Sequence, residues 1–117
     1  MKLQQVCEIL DAKILTSGPW EEQEVQSACG CDLMSDVLAY VKDQSVLMTG
    51  LVNPQVIRTA EMMDMVCIVF VRSKMPSEEM IELAKESGIV LLATDKRMYE
   101  ACGKLYSAGL LGNAVRK

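Results

Sequence analysis

The stretch from residue 65 to residue 108 limits this chain to very few folds. Met65-Val66-Cys67-Ile68-Val69-Phe70-Val71 is a continuous apolar run. It is rich in β-branched residues and too short for an ordinary globular helix. Residues 89–93, Ile-Val-Leu-Leu-Ala, form a second such run. Between them an amphipathic helical pattern covers 77–87 and stops at Gly88. Strands apolar on both faces and joined through helices belong to parallel sheets covered on both sides. The expectation is a three-layer α/β/α single domain with a mainly parallel central sheet and right-handed crossovers.

The remaining segments extend that pattern. Leu3, Val6, Cys7 and Leu10 recur at helical spacing and predict a short helix over 2–10. Residues 12–15 read as a brief strand and 24–29 as a polar edge strand. Asp32 stands where it can cap a helix over 33–41, with Leu33, Met34, Val37, Leu38 and Val41 on its apolar face. A loop over 42–45 leads to a short strand over 46–49. Asn53-Pro54 is the sharpest helix start, a capping side chain followed by proline at the first helical position. Ser77 caps the next helix, with Glu78 and Glu79 at its positive end. Thr94 or Asp95 is placed to cap the last helix, which Gly109 ends. Residues 1–111 read as one domain and 112–117 as a loose tail.

Composition excludes several function classes. A chain of 117 residues forms one domain able to bury roughly two-thirds of its unfolded surface. With one Trp, three Tyr and one Phe, the core must be mainly aliphatic, and nine Met are available to fill gaps in it. The net charge of −4 comes without any basic block, which argues against nucleic-acid binding. No apolar run approaches the ~20 residues of a membrane span, and the expected location is cytoplasmic. The five cysteines are an odd number and do not form the framework of a secreted disulfide protein. Histidine is absent, so schemes built on Ser-His or Cys-His nucleophiles fail. No cofactor is expected.

From residue 32 to residue 109, several local patterns resemble the DRTGG domain family. They are Cys31-Asp32-Leu33-Met34-Ser35-Asp36-Val37-Leu38, Leu47-Met48-Thr49-Gly50, the Asn53-Pro54 helix and Gly88-Ile89-Val90-Leu91-Leu92-Ala93-Thr94. The segment 2–15 fits as well. The chain is most similar to the small free-standing members. The same domain is an insert in CBS-containing pyrophosphatases and resembles the N-terminal domain of HPr kinase. The elements that name the family are not present as such; Leu51-Val52-Asn53 and Arg72-Ser73 stand near their places. The resemblance implies a non-catalytic regulatory or protein-interaction domain, often a homodimer, whose ligand or protein partner is not specified.

Ligands of open α/β sheets bind beyond the carboxyl ends of the strands, where helix N-termini point. Here those ends offer Thr49, Gly50 and Asn53, then Arg72, Ser73 and Lys74, then Thr94 and Asp95. Together they can hold a small anionic group, nucleotide- or phosphate-like. Capping alone also explains Asn53, Ser77 and Thr94. There is neither a P-loop nor a G-x-G-x-x-G. An alternative is a small enzyme or accessory subunit acting on a phosphorylated metabolite through Arg72, Lys74 and Asp95. A further alternative is a thiol redox or metal module on Cys29 and Cys31, although a structural metal site needs about four ligands. Asp32, Ser35 and Asp36 can present two carboxylates one helical turn apart, or simply one cap and one solvated acid. Met34, Met48, Met62, Met63 and Met65 are candidates for an apolar self-association patch, with core filling as the default.

Overall fold

The computed structural model describes residues 1–40 and 44–112. Its elements are α1 (Leu3–Leu10), β1 (Lys13–Ile14), β2 (Ser27–Gly30), α2 (Met34–Tyr40), β3 (Ser45–Thr49), α3 (Pro54–Met62), β4 (Cys67–Phe70), α4 (Glu78–Ser87), β5 (Val90–Ala93) and α5 (Met98–Ser107). The five strands form one sheet in the order β1-β5-β4-β3-β2. The pairs β2–β3, β3–β4 and β4–β5 are parallel, and β1 closes the far edge antiparallel to β5. The domain is three-layered and mainly parallel, as the apolar runs require.

The strands run in sequence across the sheet, and their crossover helices α2, α3 and α4 all cover one face. Met34, Val37, Val56, Ile57, Ala60, Met80 and Ala84 pack there with Leu47, Ile68, Phe70 and Leu91. The alternate strand residues Val46, Met48, Cys67, Val69, Val90 and Leu92 point to the opposite face. That face is covered by Leu3, Val6 and Leu10 of α1 and by Ala101 and Leu105 of α5. Two-sided burial explains why β3, β4 and β5 read as unbroken apolar runs.

Local signals act where they are strongest. Asn53 accepts from Gln55 N at 2.8 Å, with Pro54 at the first helical position. Ser77 accepts from Met80 N at 3.2 Å, and Gly88 ends α4 with a left-handed φ of 76°. The expected strand over 65–71 is shorter, yet Val66 N and Val71 N still donate to Ser45 O and Thr49 O, each at 3.0 Å. The expected loop up to residue 45 gives way to strand at Ser45, whose buried hydroxyl meets that of Ser27 at 2.6 Å. The edge strand expected over 24–29 is displaced to Ser27–Gly30, and Glu24 forms only an isolated bridge with Lys2.

Two expected caps are wrong. The α2 helix starts at Met34, and Leu33 O takes the first bonds, from Asp36 N at 3.1 Å and Val37 N at 3.3 Å. The Asp32 carboxylate is turned instead toward β3. The last helix starts at Met98 with Arg97 at its N-cap, and the buried Thr94 hydroxyl, three residues before that cap, donates to Leu10 O at 2.8 Å and accepts from Lys96 N at 3.3 Å. Val41, residues 42–43 and, Gly112 apart, the expected tail lie outside the described residues. Among the described residues no helix is long and apolar enough to cross a membrane.

Phe70 is fully buried in the core on the crossover side, whereas Met62 is 70% exposed. Phe70→Ala is expected to lower unfolding free energy by about 3–5 kcal/mol. Met62→Ala should change it by less than about 0.5 kcal/mol. Urea denaturation followed by circular dichroism measures both, and similar values for the two would contradict this assignment of the core.

Candidate functional site

The loops that follow β2, β3 and β4 lie side by side at the carboxyl edge of the sheet. Each contributes one part of a cluster. Asp32, after β2, accepts through Oδ1 from the Thr49 hydroxyl at 2.9 Å and from Gly50 N at 2.7 Å. Thr49 is fully buried at the end of β3, and its hydroxyl oxygen also accepts from Leu51 N at 3.1 Å. Arg72, after β4, brings its guanidinium to 3.9 Å from Asp32 Oδ2.

Gly50 leaves room for the end of the Arg72 side chain. A Cβ at this position would overlap the Arg72 guanidinium. The guanidinium therefore lies directly over the backbone of the β3 turn. At 3.9 Å the approach to Asp32 is an ion pair without a short hydrogen bond. The two side chains are 39% and 50% exposed, so water screens the attraction.

The backbone at Arg72 is unusual. Arg72 and Ser73 both adopt left-handed φ, at 60° and 58°. Such residues cost about 1 kcal/mol or more each unless the surroundings hold them. Arg72 N donates to Lys96 O at 2.8 Å and Ser73 N to Thr94 O at 3.0 Å, lacing the turn after β4 to the turn after β5.

The Gly50 N–H, first of all, holds the Asp32 carboxyl below the usual carboxylate range; burial pushes the other way, and the Thr49 hydroxyl and the Arg72 guanidinium lower it by less than either. Asp32 thus serves as a charged acceptor joining three loops.

Thr49, Gly50 and Arg72, expected at the strand ends, do come together. Asn53 stands in the same loop as Gly50, but its side chain is taken up by the α3 cap. Ser73 is exposed beside Arg72. Thr94 is 3% exposed and faces α1, outside the cluster. Asp95 and Lys74 are exposed, and among the described residues neither takes part in an ion pair. Asp32 is the member the strand-end reading missed. Its position immediately after a turn of small residues and before a helix fits a cap equally well, and only the adjacency of β2 and β3 decides between them.

The other candidates disperse. Burial first, then the neighbouring Cys31, Cys102 and Asp36, push the Cys29 thiol up to about 11, which leaves it a poor nucleophile at neutral pH. Cys67 is completely buried and its thiol is pushed up strongly. Among the described residues no group of three or more Cys, Asp or Glu is placed to hold a metal ion. Met34, Met48 and Met65 are core residues, so no methionine patch forms from them.

A sequence model of the DRTGG domain matches residues 5–108. The chain belongs to the DRTGG domain family. Among solved structures it is similar to the CBS and DRTGG domains of the regulatory region of Clostridium perfringens pyrophosphatase, complexed with the activator diadenosine tetraphosphate. That similarity has a TM-score of 0.74 at 14% identity, and covers 99% of this chain and 50% of the other. This DRTGG chain thus spans about half the length of that chain. No curated protein matches it in sequence.

The folded pKa of Asp32 lies below its unfolded value of about 3.9. Its contribution to stability is therefore present above that value and is lost as pH falls through the lower folded one. Asp32→Asn is expected to be less stable than wild type at pH 7 by about 1 kcal/mol, solvent exposure keeping the effect small. The difference should persist down to about pH 4 and close only as pH falls further, through the lower folded value. Urea titrations at pH 7 and through the acid range below about pH 4 test this, and a difference independent of pH would contradict the charged-acceptor role.

Proposed function

We propose that this DRTGG chain is a non-catalytic cytoplasmic regulatory domain, active as a homodimer, that takes a small nucleotide- or phosphate-like anion at its strand ends. The observation that carries the reading is Arg72. Its guanidinium rests over Gly50, close enough to Asp32 to be oriented but too far for a short hydrogen bond. Guanidinium forks recognise phosphate and carboxylate through two parallel N–H bonds. An incoming anion competes with Asp32 for this group.

Family membership supports the regulatory part. The neighbour in Clostridium perfringens is itself a regulatory region and was captured with a nucleotide activator. The regulatory signal follows from the geometry of the cluster. Asp32 bonds the β3 turn and pairs with the turn after β4, so drawing Arg72 away changes the balance among three loops at once. A ligand that binds the Arg72-released arrangement better shifts the population toward it.

Isothermal titration with inorganic diphosphate, ATP and diadenosine tetraphosphate tests the proposal. At least one should saturate wild type, and Arg72→Ala should weaken that ligand by roughly ten-fold or more. Gly50→Ala, which pushes the guanidinium aside while leaving its charge, should weaken it too. Absence of binding by all three, or equal binding by wild type and Arg72→Ala, would contradict the proposal.

A further inference from the structure

Among the described residues nothing covers the outer face of α5. Ala101 and Leu105 bury the inner side of the helix against α1 and the sheet. On the outer side Tyr99 is 92% exposed and Tyr106 65% exposed. Between them stands Gly103, where an added Cβ would meet nothing within 4 Å. A glycine inside a helix costs about 1 kcal/mol relative to alanine. Neither its own φ nor a close neighbour in the chain calls for it. Ile9 of α1 and Ala108 extend this surface into a shallow groove of about 910 Å³.

The pattern on that face is self-complementary. Successive helical residues turn by about 100°, so Gly103 sits at the outward apex. Tyr99 and Tyr106 lie about 40° and 60° to one side of it, and Glu100 and Lys104 about 60° and 100° to the other. We propose that two copies of this chain pair through α5, with the helices antiparallel about a two-fold axis between Cys102 and Gly103.

Such an axis keeps each flank facing the same flank of the partner. It places Tyr99 level with the second copy's Tyr106, since both are equally far from the axis. It brings Glu100 to within one residue, about 1.5 Å along the helix, of the second copy's Lys104. Each aromatic thus meets an aromatic and each charge its opposite, twice per interface. Gly103 lets the backbones approach at the centre. A parallel arrangement, related by an axis along the helices, would instead set each tyrosine flank against the partner's charged flank.

This inference rests on the homodimer reading and adds where the dimer forms. Sedimentation equilibrium of the full chain tests it. Wild type should dimerise reversibly. Gly103→Glu should weaken the dimer by roughly ten-fold or more while the isolated chain keeps its helical circular dichroism, because glutamate favours helix over glycine. Glu100→Lys and Lys104→Glu should each weaken it, and the two together should restore it. A wild-type dimer that all these variants leave intact would move the interface off α5 and keep the homodimer. A monomeric wild type, leaving the face to a different protein, would overturn both.

Discussion

The fold depends on one constraint: four parallel strands, β2 to β5, are laid down in sequence in one direction. Crossovers of a single hand then deliver α2, α3 and α4 to the same face of the sheet. The other face would stand bare without α1 from before the strands and α5 from after them. Thr94 ties these ends together by donating to Leu10 O at 2.8 Å. One sheet face is thereby covered by helices woven between strands, the other by two helices from the chain's extremes.

The same constraint aligns the loops that carry the cluster. Because the strands advance without reversing, the parallel part of the sheet has no switch point at which loops diverge and open a crevice. The turns after β2, β3 and β4 instead lie against one another and are joined by side chains. Asp32 bonds across from the first turn to the second, and Arg72 reaches back from the third. This edge of the sheet is organised around one ion pair.

The sequence made the strands and most helix starts legible because their signals are local. Asn53-Pro54, Ser77 and Gly88 act within their own helices, and the runs at residues 67–70 and 90–93 are apolar because both faces are covered. What it hid depends on neighbours distant in sequence. Thr94 looks like a cap until α1 is seen to end beneath it. Asp32 looks like a cap until Thr49 and Gly50 are placed beside it, 17 and 18 residues further on. The DRTGG resemblance, which the family match bears out, is carried by these same segments, and Thr49, Gly50 and Arg72, expected at the strand ends, lie side by side. The strand-end rule also drew in Thr94, whose hydroxyl turns to the far face.

The central claim is that Arg72, parked over Gly50 beside Asp32, is the group an anionic ligand engages. The most direct measurement is a ¹⁵N–¹H NMR titration of the full chain with inorganic diphosphate, following the Arg72 side-chain Nε–H and the Gly50 amide. The account predicts that both signals move together and saturate at one midpoint, with neighbouring movement confined to the turns after β2, β3 and β4. Saturating shifts elsewhere while these two stay fixed would contradict it.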